Sequence, residues 1–155
     1  GTVLSQDVPT IERSVGLPSL LTLVAGEIGD NSFAHNVGQW PDIPGVFFAY
    51  NLGSRLIVLA DRGQGVLTTL RRVRATLKDD QSALKVAFTE IVSGRDPEKR
   101  GNGLKVVRRV TQTNPITLTF QSGNAHLRLP KAGGVRLRIG IAPTAVAGMF
   151  AVVSW

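Results

Sequence analysis

A chain of 155 residues with 43% hydrophobic content is long enough to close one core and needs no second domain. The absence of cysteine excludes disulfide frameworks, thiolate zinc sites and cysteine nucleophiles. A formal charge of +7, from 18 basic and 11 acidic residues, admits an anionic partner such as a nucleotide, a nucleic acid or an acidic protein surface. Its basic residues are dispersed, however, and six Phe, two Trp and one Tyr give few platforms for stacking bases.

Residues 1–16 carry no firm periodicity and are expected to be a lead-in. Because the chain opens Gly-Thr, a tag remnant, a processed product or an excised domain is expected there. No apolar run approaches the roughly 18 residues of a membrane span, so a soluble, cytoplasmic domain over 17–155 without membrane contact is expected. Pro18 and Ser19 suit the first turn of a helix running from about 18 to 37, with Gly38 as its stop. At about 100° per residue, Leu17, Leu20, Leu21, Val24 and Ile28 share one face, and Glu27 and Asn31 fall along the same stripe one turn apart. A carboxylate there needs a partner, a metal or a ligand. A glutamate and an amide oxygen at that spacing suit a magnesium-bound phosphate; a polar rim where the helix leaves the core explains them as well. Gly26 and Gly29 point either to close approach of another group or to tight packing on a sheet.

Val46–Tyr50 and Arg55–Ala60, joined by a turn at 51–54, read as a hairpin. Its second strand runs into Asp61-Arg62-Gly63-Gln64-Gly65, a carboxylate at a strand tip followed by two glycines that let a ligand approach the backbone. Such an aspartate can accept from an exocyclic amine such as that of adenine, and an ordinary polar turn is the competing reading. Two helical patterns follow, one through Val66, Leu67, Leu70, Val73 and Leu77, the other through Leu84, Ala87, Phe88 and Ile91, with Asp79 and Asp80 as cap candidates. Arg71, Arg72 and Arg74 are expected on a solvated face. Gly101-Asn102-Gly103-Leu104-Lys105 opens a further helix, whose free N–H groups suit a phosphate. No GxxxxGK[ST] loop occurs in the chain. Four strands are expected thereafter, at 116–120, 125–129, 135–141 and 148–155, with turns at 122–124 and 132–134.

The order Glu27-x-x-x-Asn31, Asp61-x-Gly63-x-Gly65 and Arg100-Gly101-Asn102-Gly103-Leu104 resembles the N box, first glycine box and second glycine box of the GHKL ATPases. That superfamily includes gyrase B subunits, heat-shock chaperones, sensor histidine kinases and mismatch-repair ATPases, and the resemblance covers roughly 17–155. It implies a two-layer α/β sandwich: a mixed, mostly antiparallel sheet with helices on one face, as in histidine kinase-like ATPase domains. It further implies ATP and Mg2+ as ligands, with Asn31 holding the metal and Glu27 as the base that activates water or a phosphoacceptor. Asp61 would read the adenine amine, Gly63 and Gly65 would shape the pocket beneath the base, and 66–100 would be the ATP lid. Gly101, Gly103 and Leu104 would admit the phosphates to the helix N-terminus, with Arg100 or Lys105 as nearby charges. Asn31-Ser32-Phe33-Ala34-His35 is most similar to the Asn-Ala-x-x-His of sensor and anti-sigma kinases. His35 itself is expected to be a core histidine.

Phe88 lies roughly where sensor kinases have a phenylalanine box, and packing explains it equally. Gly148-Met149-Phe150 departs from the Gly-Thr of many relatives, whose threonine supports the adenine-binding aspartate; Thr117 or Thr119 are the candidates to replace it. The segment 135–147 has no assigned role. No phosphoacceptor module is recognisable, so the resemblance implies transfer of a γ-phosphoryl to a partner protein or to water. The alternatives are a nucleotide-dependent interaction switch without turnover and, from charge alone, a basic nucleic-acid-binding domain.

Overall fold

Helix α1 (Leu17–Ala34) starts with proline in its first turn and buries Leu21, Val24, Ile28 and Ser32, a spacing of three to four residues that draws one line along the helix. Glu27 and Asn31 are half-buried on the flank of that line rather than within it, which lowers the desolvation cost expected for the carboxylate. The computed structural model describes residues 16–40, 43, 45–90, 102–131 and 137–155. The lead-in at 1–15 therefore lies outside the described residues, as do Arg100 and Gly101. α1 ends at Ala34, short of the expected 37, and the chain turns through His35 to Gly38, which adopts φ 70°.

The hairpin forms as expected. β1 (Val46–Asn51) pairs antiparallel with β2 (Leu56–Asp61), and the Asn51 side chain accepts from the Ser54 N–H at 2.9 Å to close the turn. Two helices follow. α2 (Gly65–Arg71) is short; α3 (Asp80–Thr89) is capped by Asp79, whose carboxylate accepts from the Ser82 N–H at 2.7 Å and is held below the usual carboxylate range by the Ser82 side chain first and this N–H second. The span 66–100 expected as a lid thus begins with these two helices. α3 is part of the core: Leu84 and Phe88 are buried and Phe88 meets Phe120 edge to face at 5.3 Å between ring centres. Core packing accounts for Phe88. The Arg71 guanidinium is tied to the Leu77 and Lys78 carbonyls and Arg74 pairs with Glu90, so these arginines fasten the segment after α2 rather than forming a purely solvated face.

After α4 (Gly103–Thr113) the sequence predicts four strands, and the structure has two long ones, β3 (Thr117–Leu129) and β4 (Arg138–Ser154). The expected turn at 122–124 is a bulge within β3. Gly123 takes φ 57°, the register against β4 shifts on either side of it, and the Asn124 N–H donates to Asp80 at 3.0 Å. The turn expected at 132–134 lies outside the described residues. The stretch 138–147 is the outer half of β4. There it pairs with β3 alone, and Pro143, which has no N–H to give, sits in that half.

The sheet order is β1-β2-β4-β3, with every adjacent pair antiparallel. Alternation along β2, β3 and β4 turns Leu59, Leu118, Phe120, Ala151 and Val153 to one face, and α1, α3 and α4 cover it with Val24, Ile28, Leu84, Phe88 and Val107. This is the expected two-layer α/β sandwich.

Candidate functional site

The same alternation that buries Ile57 and Leu59 carries Asp61, the last residue of β2, to the core side, where it is only 8% exposed. A carboxylate so placed must be hydrogen-bonded. Its Oδ1 accepts from the Gly63 N–H at 2.8 Å, and a side chain at Gly63 would overlap the Asn36 amide. Asn36 is itself buried: its Nδ2 donates to the Ser32 carbonyl at 2.8 Å and its Oδ1 accepts from the Gln64 N–H at 2.9 Å. Gln64 completes the tie by donating from Nε2 to the His35 carbonyl at 2.8 Å. The end of α1 and the glycine turn after β2 are thus one fastened unit. Gly65, at φ 78°, then turns the chain into α2.

The opposite end is built from α1 and the N-terminus of α4. Gly103 opens α4, and the Glu27 carboxylate lies against it, in the space a Gly103 side chain would take. That puts a negative charge beside the positive end of the helix dipole. Leu104 is buried, while Lys105 occupies the third helical position in a first turn that has no acidic residue. Burial holds the Lys105 ammonium below its ordinary value, opposed by the nearby Glu90 carboxylate. Asn102, at the cap position, makes no side-chain capping bond.

Between the two ends runs one cleft of about 750 Å³, counting space continuous with solvent, lined by Asn31, Asp61, Gly65, Gly103, Leu104 and Lys105 together with apolar Ile28, Val66, Phe120 and Met149. Gly63 lies behind Asp61, and Glu27 stands beside Gly103 rather than in the lining itself. His35, expected in the core, is half-buried at the C-cap of α1 and lines the cleft. Among the described residues no cluster of three or more His, Asp or Glu could hold a metal on its own.

Two buried polar residues belong to no motif in the sequence: Asn36, inside the helix expected to about 37, and Ser122, inside the turn expected at 122–124. Thr117 and Thr119, the candidates to replace a threonine at 149, are in register with Ser154 and Val152, away from Met149. Ser122 is the residue directly across from Met149, and Asp61 flanks Met149 on its other side. The signal was present in the alternation Leu118, Phe120, Ser122, which carries a serine onto the buried face.

No protein-family model and no curated protein matches the chain. Among solved structures it is similar to the ATPase region of Saccharomyces cerevisiae topoisomerase II, at 11% identity and a TM-score of 0.54, over 88% of this chain and 38% of that one. It is also similar to the ATPase domain of Thermus thermophilus gyrase B solved with an aminocoumarin, at 18% identity and a TM-score of 0.46, over 84% of this chain and 32% of that one. The chain spans about a third of the length of these structures. At such identities the topoisomerase II likeness shows a shared fold.

Proposed function

We propose that this chain is an ATP-binding domain of the GHKL class and that it directs the γ-phosphoryl of ATP to water or to a partner protein. The observation that carries the reading is the single cleft joining Asp61 at one end to the N-terminus of α4 at the other, with Asn31 between them. A purine fits between Ile28, Val66 and Met149, and the carboxylate of Asp61 can accept from its exocyclic amine. The phosphates then reach Gly103 and Leu104, whose backbone N–H groups have no partner within the helix. Lys105 supports the same orientation. A cation in the first turn of a helix opposes the dipole, and burial adds to the cost, so an anion bound there offsets both.

The residues present fit a magnesium ion held chiefly by phosphate and water oxygens, because Asn31 offers a neutral hard oxygen in the cleft. When bound, that ion would draw charge from the phosphates. Glu27, one turn before Asn31 on α1, is the group to take the proton from an attacking water or hydroxyl. Its carboxylate lies beside the α4 N-terminus, the same end of the cleft that takes the phosphates. Catalysis then rests on position and charge, as phosphoryl transfer generally does.

Calorimetric titration with ADP and a nonhydrolysable ATP analogue, with and without magnesium, tests this directly. Micromolar to millimolar affinity in the wild type, lost in Asp61→Asn, is the expected result. A chain that binds neither nucleotide under any of these conditions overturns the proposal.

A further inference from the structure

Ser122 is the one hydroxyl among the described residues that joins three chain segments at the base end of the cleft. It is 1% exposed. Its Oγ donates to the Gly148 carbonyl at 3.0 Å and accepts from the Val66 N–H at 2.9 Å, so both bonds run from β3, one to β4 and one to the start of α2. Of the two segments it holds, one packs on Asp61 and the other lines the cleft beside it. Gly148, at φ 80°, has no side chain because the Asp61 carbonyl and carboxylate fill that space; the Gly63 N–H that bonds Asp61 lies close by as well. Val66 lines the cleft next to Gly65. Among the described residues the second carboxylate oxygen of Asp61 accepts no hydrogen bond.

We propose that Ser122 is a positioning residue for nucleobase recognition: by fixing Gly148 and the Val66 amide it holds the Asp61 carboxylate in the one orientation that leaves an oxygen for the base amine. The inference rests on the ATP-binding reading above and adds to it the group that sets its base specificity. It also explains why Met149 can be apolar. The hydroxyl that orders this corner comes from the neighbouring strand, so the residue between Ser122 and Asp61 in the sheet is left to pack against the base.

The test compares ADP with purine riboside diphosphate, which lacks the 6-amine, by calorimetry on wild type, Ser122→Ala, Ser122→Cys and Ser122→Thr, each first checked for a cooperative melt. Both ligands carry the same phosphates, so their ratio is independent of the fraction of active protein. The wild type is expected to favour ADP by about tenfold or more, the scale of a hydrogen bond to a charged group. Ser122→Ala and Ser122→Cys should bring the two ligands to within about threefold, largely by weakening ADP, while Ser122→Thr, which keeps the hydroxyl, should restore the preference. A folded Ala or Cys variant that keeps the full preference overturns the role of Ser122. A wild type that binds both ligands equally instead overturns base reading by Asp61, and a wild type that binds neither overturns the nucleotide reading.

Discussion

The two ends of the cleft are held in different ways. At the Asp61 end three sets of hydrogen bonds lie side by side: Asn36 with Gln64, Asp61 with the Gly63 N–H, and Ser122 with the Val66 N–H, together tying α1, β2, β3 and the start of α2. At the α4 end the charged groups Glu27 and Lys105 surround a helix N-terminus whose cap residue contributes no side-chain bond. Buried polar groups tied by hydrogen bonds are rigid and fix shape. Helix-end charges respond to whatever anion arrives. One end is therefore suited to recognition and the other to chemistry, and substitutions should separate along that line.

The largest effect is expected from Glu27→Gln, which keeps the volume and removes the proposed base. Phosphate release should fall by about 10²- to 10⁴-fold, the usual worth of a positioned base, while nucleotide affinity stays within about threefold. Normal turnover in this variant would mean that the base lies elsewhere. Measuring release with and without candidate partner proteins extends the test, because a pure switch shows no stimulated turnover.

A pair of glycine substitutions probes the same contrast in stability. Gly63→Ala drives a methyl into the buried Asn36 amide, which makes two hydrogen bonds, and should cost about 1–3 kcal/mol, read as a lower melting temperature. Gly103→Ala overlaps the carboxylate end of Glu27, a flexible side chain, and makes an ordinary contact with its Cβ, at a helical position that alanine accepts. Its stability should stay within about 0.5 kcal/mol of wild type. Turnover should fall about tenfold as the carboxylate is pushed aside. If the two variants melt alike, the bonded end is no more rigid than the charged one.

Lys105 gives a pH test with two opposed readouts. Burial places its folded value below the ordinary 10.5 of an unfolded lysine. Between those two values the unfolded chain binds more protons, so the cost of burying the charge, fully present at lower pH, is relieved and stability rises with pH. Phosphate affinity should move the other way, falling by about fivefold over the same window as the ammonium is lost. In Lys105→Arg, which stays protonated, both trends should flatten. Affinity that is flat with pH in the wild type removes Lys105 from the phosphate end.

The contrast also bears on what the sequence made legible. Helix α1, the β1–β2 hairpin and the glycine-led start of α4 each have a local signature, a period or a turn residue, and each was readable. Asp61, Asn31 and Gly103 are marked by such signatures. The bonded network was not, because its members come from α1, β2 and β3, and only the register of Ser122 against Met149 and of Met149 against Asp61 brings them together. The reading of 122–124 as a turn failed for a related reason. Glycine at positive φ serves a turn and a bulge equally, and only the partner strand, with Asp80 receiving the Asn124 N–H, decides between them.

The smallest effect is expected away from both ends, on the other side of α1. Gly26 and Gly29 invite the expectation of close packing, yet a methyl on Gly26 would meet nothing within 4 Å, and one on Gly29 only Leu59 at 3.8 Å. Both residues line an apolar groove between α1 and β1, whose Phe48 and Tyr50 are exposed. With no contact to lose, Gly26→Ala acts only on backbone freedom and should raise stability by up to about 1 kcal/mol. Nucleotide affinity and turnover should both be unchanged, since the residue touches neither end of the cleft. A loss of affinity in Gly26→Ala would show that the groove and the cleft communicate through α1, and that the two ends are not independent parts on a passive helix.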